Sequence, residues 1–382
     1  MQKFLFMPDS FKGTLSSEEI CSILTASAYE HIPGCKCQNV PIADGGEGTI
    51  DCFLNIFKDS SKVNITVKDA FLHDIATYYG HIDNETAVIE VASCAGLPQA
   101  GSRANPSITS SFGVGEQITH ALNQGYKTII LALGGSSTND GGCGIACALG
   151  AVFKDKNNNK FMPVGKTLVD IAHIDVSNID KRIYSTNFIA MCDVDCTLYG
   201  KNGAAYVFGP QKGADLKMVE DLDLGLRNLA TVLKSDLNLD VSSIRGGGAA
   251  GGIGAGIHAF LNAHLKRGVD VILDLISFDS LVKSFDVVFT GEGRTDSQSL
   301  QGKVIRGIAN RAKVAGKPVI VISGGVCDDE IQDIYKLGVC SVFTVNRLPE
   351  SFEISRYRSK ENLKYTADNL FRLLNLTNQT LS

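Results

Sequence analysis

The chain has 382 residues, of which 44% are hydrophobic and 20% are charged, and its formal net charge is −5. This composition is typical of a globular protein and excludes a disordered one, and the lack of any long basic run argues against nucleic acid or a membrane surface as partner. The length exceeds the about 250–300 residues at which a single hydrophobic core stops growing, so we expect two domains.

The amino-terminal part alternates strand and helix. A buried strand is predicted over Phe4–Met7, and a capping box formed by Ser16 and Glu19 begins a helix that runs to about Tyr29. A second strand is predicted at Gln38–Ile42 and a helix at Thr49–Phe57. This order is typical of a parallel sheet.

The pattern changes near residue 61. Two alternating strands, Val63–Val67 and Ala87–Val91, predict antiparallel structure and the start of a second domain. A helix at Phe112–Leu122, a buried strand at Lys127–Leu133 and an amphipathic helix at Leu216–Leu233 follow.

The last hundred residues return to alternation. Strands are predicted at Val287–Thr290, Val319–Ile322 and Val339–Phe343, and helices at Val304–Val314, near Glu330–Tyr335, and at the end, where one face carries Leu363, Leu370, Phe371 and Leu374. Both ends of the chain therefore form one βαβ-type sheet, with the middle inserted. We place the discontinuous domain at residues 1–60 and 283–382 and the inserted α/β domain at residues 61–282.

Eleven cysteines are scattered along the chain, and none has the C-x-x-C spacing of zinc ribbons or redox sites. The pairs Cys143/Cys147 and Cys192/Cys196 lie four residues apart, as on one helical face, but we interpret them as reduced, mostly buried thiols. The apolar stretch near the amino terminus is too short for a signal peptide, and no run reaches the about 20 residues of a membrane span. We expect a cytoplasmic protein.

Five loops combine small residues with Asp, Asn or Ser, and most of them follow a predicted strand. They are Pro8–Gly13, Asp44–Gly48, Gly134–Gly142, Cys192–Asp195 and Gly291–Asp296. In open α/β sheets ligands bind outside the carboxyl ends of the strands, and glycine lets backbone N–H groups approach a phosphate. Carboxylates bind Mg²⁺, although each loop alone also has the composition of an ordinary turn.

The common nucleotide-binding motifs are mostly missing. No G-x-x-x-x-G-K-[ST] occurs, which excludes a P-loop, and neither H-E-x-x-H nor G-x-S-x-G is present. Gly246–Gly251 matches G-x-G-x-x-G, but the residues before it do not form a convincing strand. A nicotinamide-dependent oxidoreductase and a two-lobed protein that binds a small acid without catalysis remain as alternatives.

Six segments, in order and over nearly the whole chain, resemble the glycerate kinase family of bacteria. They are Pro8–Gly13, Ala43–Gly48, Gly134–Gly142, Phe208–Ala214, Gly246–Gly256, and Gly291–Asp296 with Gly302 and Lys303 behind it. The resemblance implies a Rossmann-like parallel-sheet domain built from both chain ends and a mixed α/β domain inserted into it. It also implies transfer of the ATP γ-phosphoryl group to D-glycerate with Mg²⁺. It favours 2-phosphoglycerate, while 3-phosphoglycerate, another sugar-acid acceptor and a homo-oligomer stay open.

On this resemblance we assign roles to the loop residues. Asp193 is the candidate base for the substrate hydroxyl, and Lys12 and Arg294 supply positive charge, with Ser10 beside them for substrate binding. The ATP phosphates are assigned to Gly134, Gly135, Ser136, Ser137, Asn139, Gly247, Gly248 and Gly251. Mg²⁺ is assigned to Asp44, Asp195 and Asp296, and the roles of these aspartates and Asp193 can be permuted.

Overall fold

The computed structural model describes residues 1–11, 13–42, 48–295, 304–327, 331–348 and 350–379. The chain divides into two compact units, residues 1–44 with 267–382 and residues 45–266. We call them the terminal unit and the inserted unit. The division lies at other residues than the boundaries drawn from the sequence, because residues 45–60 belong to the inserted unit and residues 267–282 to the terminal unit.

Local contacts explain this division. The first turn of the helix at residues 49–56 is held within the inserted unit, where the N–H of Ile50 donates to the buried Glu90 carboxylate at 2.7 Å. In the terminal unit, the Arg311 guanidinium donates to Asp274 at 2.8 Å and to both oxygens of Asp279 at 2.8 Å. These bonds connect residues 267–282 to the carboxyl-terminal part of the chain.

The terminal unit has five strands and seven α-helices among its described residues. The strands are β1 (Lys3–Pro8), β2 (Lys36–Asn39), β12 (Val287–Glu292), β13 (Val319–Ser323) and β14 (Val339–Thr344). The helices are α1 (Ser17–His31), α10 (Gly268–Leu275), α11 (Phe278–Leu281), α12 (Val304–Val314), α13 (Ile331–Lys336), α14 (Phe352–Ser355) and α15 (Ser359–Gln379). The predicted capping box is confirmed, since Ser16 Oγ accepts from the N–H of Glu19 at 3.2 Å and the Glu19 carboxylate accepts from the N–H of Ser16.

These strands form one parallel sheet in the order β14-β13-β12-β1-β2. The chain steps outward from β1 to β2 on one side and from β12 to β14 on the other, so β1 and β12 flank the switch point where such sheets bind ligands. Four aromatic rings hold the core, with Phe6 and Phe289 at 5.2 Å and Phe4 and Phe371 at 5.4 Å between centroids.

The inserted unit has nine strands and eight α-helices among its described residues. The strands are β3 (Ser61–Lys68), β4 (Asp74–His81), β5 (Thr86–Glu90), β6 (Thr128–Ala132), β7 (Val152–Lys154), β8 (Lys160–Phe161), β9 (His173–Asp175), β10 (Asn187–Met191) and β11 (His264–Lys266). The helices are α2 (Thr49–Ile56), α3 (Ala92–Ala95), α4 (Leu97–Ala100), α5 (Phe112–Gln124), α6 (Cys143–Ala148), α7 (Ala204–Phe208), α8 (Leu216–Leu237) and α9 (Ala249–Leu261), together with the 3₁₀ turns that link them.

The main sheet of the inserted unit has the order β11-β10-β6-β5-β4-β3. Strands β5, β6, β10 and β11 are parallel, whereas β3 and β4 are antiparallel and form its edge. A small antiparallel sheet, β8-β7-β9, lies apart from it. The predicted fold class, a Rossmann-like parallel-sheet domain from both chain ends with a mixed α/β domain inserted, is confirmed.

Two local expectations differ from the structure. Strand β4 lies between the two antiparallel strands that the pattern predicted, and β2 ends at Asn39 rather than Ile42. Residues 40 and 42 still donate to Phe6 and Pro8 of β1, at 2.8 and 3.1 Å, so the chain leaves the ladder gradually. In the described ranges, no helix combines the length and the hydrophobicity that a bilayer crossing requires.

Candidate active site

Ser10 lies at the carboxyl edge of the terminal sheet, directly after β1. Strands β1 and β12 pair up to Pro8 and Gly291, and the N–H of Asp9 continues this pairing by donating to the Gly291 carbonyl at 2.9 Å. The Asp9 carboxylate then accepts from the N–H of Ser10 at 2.7 Å. These bonds fix the start of the loop at the switch point, with Ser10 half-buried.

Arg294 follows β12 at the neighbouring strand end. Its side chain is exposed, and Nη2 donates to Cys327 Sγ at 3.0 Å. The next residue, Thr295, is buried and donates through Oγ1 to Ser323 Oγ at 3.0 Å. This hydrogen bond anchors the backbone that carries Arg294. The structure therefore brings Ser10 and Arg294 to adjacent strand ends. Lys12, Asp44 and Asp296 lie outside the described residues.

The segment 134–142, which we call the 134–142 loop, follows β6 at the carboxyl edge of the inserted sheet. The N–H of Ser137 donates to the Ala95 carbonyl at 2.8 Å, and the Gly135 carbonyl accepts from the N–H of Leu97 at 2.8 Å. Among the described residues, the N–H groups of Gly134, Gly135 and Ser136 have no acceptor. Gly135 is exposed with φ of 74°, so the loop offers N–H groups of the kind that bind anions.

Asp140 anchors this loop from inside. Its carboxylate is fully buried and accepts from the N–H of Gly142 at 3.1 Å, from the N–H of Gly144 at 3.2 Å, and from Ser111. Burial raises the pKa of Asp140, and these hydrogen bonds oppose that rise. Asp140 lies within the predicted loop, but no role for it was predicted from the sequence.

Lys212 is a second buried residue of this region for which the sequence predicts no role. Its side chain is only 3% exposed, and Nζ donates to Ser136 Oγ at 2.9 Å and to the Thr138 carbonyl at 2.7 Å. Burial lowers the pKa of Lys212 to about 7, against the opposing charges of Asp140 and Cys196. The signal for it was the segment Phe208–Ala214, which carried the resemblance without a chemical pattern of its own.

Asn139 contributes a buried amide to the same loop. The residue is 0% exposed, and neither its side-chain nitrogen nor its side-chain oxygen has a hydrogen-bond partner within the part of the chain that the structure describes. An unsatisfied buried amide costs free energy, and such groups often serve a ligand.

The glycine-rich segment 246–256 packs against this loop. Gly251 has φ of 71°, and a Cβ there would lie 1.9 Å from the Thr138 carbonyl. The Gly251 carbonyl accepts from the N–H of Gly141 at 3.1 Å, and the N–H groups of Gly247 and Gly248 donate to protein carbonyls at 3.0 Å. This close packing is by itself a sufficient reason for glycine at position 251, without any contact to a ligand. The assignment of Gly247, Gly248 and Gly251 to the ATP phosphates therefore stays a prediction.

Asp193 and Asp195 are exposed carboxylates in the loop after β10, the strand next to β6. The loop is held at its start, where the N–H of Cys192 donates to the Lys266 carbonyl at 2.9 Å. Asp195 has the hard oxygen chemistry that Mg²⁺ prefers, and Mg²⁺ commonly takes only one or two protein carboxylates.

Two cysteines flank Asp193 and Asp195 in this loop. Cys192 and Cys196 lie in a loop rather than on a helical face, and burial raises their pKa values to about 12 and about 11. Within the described ranges, no cysteine belongs to a group of three potential ligands close enough to share an ion.

Comparison with known proteins shows the family to which the chain belongs. Residues 4–375 match the glycerate kinase family. A glycerate kinase of Bacillus cereus is 39% identical over 370 residues, covering 96% of this chain and 97% of that protein. The glycerate 2-kinase of Escherichia coli is 39% identical over 345 residues, covering 90% of each.

A solved structure described as glycerate kinase 2 of Salmonella typhimurium LT2 superimposes with a TM-score of 0.87 at 38% identity, covering 99% of both chains. The family predicted from the six segments is thereby confirmed: the chain belongs to the glycerate kinase family.

Proposed function

We propose that this chain transfers the γ-phosphoryl group of ATP to the 2-hydroxyl of D-glycerate, giving 2-phosphoglycerate and ADP. As a member of the glycerate kinase family the chain is an ATP-dependent kinase. The E. coli relative is named for the 2-position and covers 90% of this chain, which supports the same product here.

The observation that carries the proposal is the 134–142 loop. Its N–H groups at Gly134, Gly135 and Ser136 have no acceptor among the described residues, and the amide of Asn139 is buried without a partner. Phosphoryl transfer depends mainly on positioning and charge neutralisation, and backbone N–H groups supply both without reorganisation. The loop therefore holds the ATP phosphates, while the N–H of Ser137 serves the loop itself by donating to Ala95.

Arg294 and Ser10 are assigned to the acceptor. A guanidinium binds a carboxylate through two parallel hydrogen bonds, and Arg294 is exposed at the strand end next to Ser10. Lys12 joins them in this assignment as a further positive charge. The arrangement selects a small hydroxy acid by its carboxylate.

Asp193 is assigned as the base. The substrate hydroxyl oxygen forms its bond to the γ-phosphorus as the bond from that phosphorus to the ADP oxygen breaks, and the hydroxyl proton passes to the Asp193 carboxylate. Mg²⁺, assigned to Asp195 with Asp44 and Asp296, neutralises phosphate charge when bound. Asp193 and Asp195 belong to one exposed loop, so their two roles can be separated by single substitutions.

A reducing, cytoplasmic location is part of the proposal. All eleven cysteines are free thiols, and the thiols of Cys35 and Cys37 share a hydrogen bond with their sulfurs 3.9 Å apart. Free thiols in this number are typical of reducing compartments.

The test is a coupled assay with purified protein, Mg-ATP and D-glycerate that follows ADP release and identifies the product by ³¹P NMR. A secondary phosphate monoester resonance formed together with ADP supports the proposal. A primary monoester resonance would instead assign the 3-hydroxyl. Binding of glycerate without ADP release would exclude the kinase reaction with this acceptor.

A further inference from the structure

Lys212 has no assigned part in the reaction described above. Its buried ammonium group nevertheless donates hydrogen bonds to Ser136 and Thr138 of the 134–142 loop. We propose that Lys212 is a positioning residue that sets the shape and the charge of this loop for the ATP phosphates. The inference rests on the proposed function to the extent that the 134–142 loop is taken as the site of these phosphates.

The backbone around Lys212 is held in a fixed turn. Lys212 ends a 3₁₀ helix at Pro210–Lys212, and its N–H donates to the Gly209 carbonyl at 3.0 Å. Gly213 follows with φ of 93°, and a Cβ there would lie 2.5 Å from the Ala104 carbonyl. Because the turn admits little movement, the side chain projects from a rigid base.

From this base the ammonium group connects two points of the loop. Ser136 Oγ and the Thr138 carbonyl, at 2.9 and 2.7 Å from Nζ, lie on either side of Ser137. The bonds hold the loop at the Ser136 side chain and the Thr138 backbone, next to the N–H groups of Gly135 and Ser136 that have no acceptor among the described residues. Removal of Nζ leaves the Thr138 carbonyl buried without this donor, so we expect the local loop geometry to change.

The charge of Lys212 is only partly compensated. An ammonium has three donors, and the described residues accept two of them. The charged or titratable groups that face it are Asp140 and Cys196, and within the described residues neither lies within ion-pair distance of Nζ. Asp140 is already engaged by four donors, two of them from Ser111.

Phosphate oxygens at the loop would supply the missing negative charge. With a pKa of about 7 in the free protein, Lys212 is only partly protonated near neutral pH. A nearby triphosphate favours the charged form, so nucleotide binding takes up a fraction of a proton at this site. A lysine with a purely structural role would produce no such linkage.

The first experiment measures proton uptake directly. Binding of ADP and of a non-hydrolysable ATP analogue to the wild-type protein is followed by calorimetry at pH 7.5 in two buffers of different ionisation enthalpy. We expect net proton uptake for the wild-type protein and its loss in Lys212→Met. Binding without uptake in the wild-type protein overturns the inference, and this measurement needs no variant that folds.

The second experiment uses kinetics. Lys212→Met is expected to raise KM for ATP about 10- to 100-fold, as for loss of a charge-assisted hydrogen bond, and to change KM for D-glycerate by less than about threefold. Lys217→Met, which removes an exposed lysine paired with Asp221, is the matched control and should leave both constants unchanged. Equal rises in both KM values would overturn the inference.

The two proposals fail in different ways. A wild-type protein that binds nucleotide with proton uptake but does not phosphorylate glycerate contradicts the proposed acceptor and leaves the role of Lys212 supported. A wild-type protein that phosphorylates glycerate with no linked proton uptake contradicts the role of Lys212 alone.

Discussion

Asp140 accepts two hydrogen bonds from Ser111, one from its backbone N–H at 2.7 Å and one from its hydroxyl at 2.8 Å. Ser111 immediately precedes α5, and its hydroxyl also accepts from the N–H of Ile145 in α6 at 3.2 Å. Both side chains are at most 1% exposed. The pair thus joins the 134–142 loop to the starts of two helices through buried polar hydrogen bonds.

We therefore expect substitutions of this pair to destabilise the protein. Ser111→Ala removes both bonds of the hydroxyl, the one donated to Asp140 and the one accepted from Ile145, and should lower the free energy of unfolding by about 1–3 kcal/mol. Asp140→Asn replaces one acceptor oxygen with a donor group in a site that already provides donors, and should cost about 2–4 kcal/mol. Urea denaturation followed by circular dichroism measures both values.

Ser185→Ala is the control for this pair, since its exposed hydroxyl donates to the Arg182 carbonyl at the surface. It should change stability by less than about 0.5 kcal/mol. If Asp140→Asn were as mild as Ser185→Ala, the buried network would not be what holds the loop.

Gly251→Ala tests the packing of the glycine-rich segment. The new Cβ would meet the Thr138 carbonyl at 1.9 Å in addition to the strain of φ at 71°. The control is Gly125→Ala, which has φ of 88° and nothing within 4 Å of a new Cβ. We expect the control to lose about 1 kcal/mol of unfolding free energy, from backbone strain alone. Gly251→Ala should lose at least about 3 kcal/mol of unfolding free energy.

Thermal unfolding of the two glycine variants separates clash from strain. Equal losses of stability would mean that the backbone conformation, not the contact with Thr138, requires the glycine. A larger loss at Gly251 would show that the segment and the loop pack as one body, which explains why both are rich in glycine.

Much of the fold follows from local patterns in the sequence. The Ser16–Glu19 capping box and the buried strand at Phe4–Met7 were predicted nearly at their observed bounds because each is encoded by adjacent residues. The two compact units divide at residues other than the predicted boundaries, because Ile50 and Arg311 bond to Glu90, Asp274 and Asp279, which are distant from them in sequence. Strand β4 carries few apolar residues in alternation and was missed for that reason.

The candidate site was predictable in outline only. Glycine and aspartate after predicted strands indicated the 134–142 loop and the loop at Asp193, but the partners of Asp140 and Lys212 come from other elements. A lysine in a short polar segment gives no sign in sequence that it is buried. Conversely, Gly251 fitted a phosphate-binding pattern, yet its contact with Thr138 supplies a packing reason that no single segment reveals.

The low pKa of Lys212 predicts a pH-dependent stability. The folded protein releases the Lys212 proton near pH 7, whereas the unfolded chain keeps it to about pH 10.5. The unfolded state binds more protons between these values, so the free energy of unfolding rises with pH there, by up to about 1.4 kcal/mol per unit. We expect the wild-type protein to gain stability relative to Lys212→Met from pH 7 to 8.5.

This comparison is made by urea titrations at several pH values in that window. Subtracting the Lys212→Met curve removes the contribution of other groups, including the buried cysteines, whose thiols begin to ionise in the unfolded chain near the upper end of this window because their ordinary pKa is 9.0. A difference that is flat with pH would mean that Lys212 keeps its proton in the folded state.

The last prediction concerns the exposed carboxylates after β10. Asp193→Asn removes a proton acceptor while keeping the shape of the side chain, so turnover should fall about 10²- to 10⁴-fold with little change in the affinity for ADP. Asp195→Asn is the matched variant from the same loop and should instead raise the Mg²⁺ concentration that half-maximal activity requires. Steady-state kinetics over a Mg²⁺ series, together with ADP titration, distinguishes the two. Turnover near that of the wild-type protein in Asp193→Asn would remove this residue from the role of base, and a Mg²⁺ shift in that variant would exchange the two assignments.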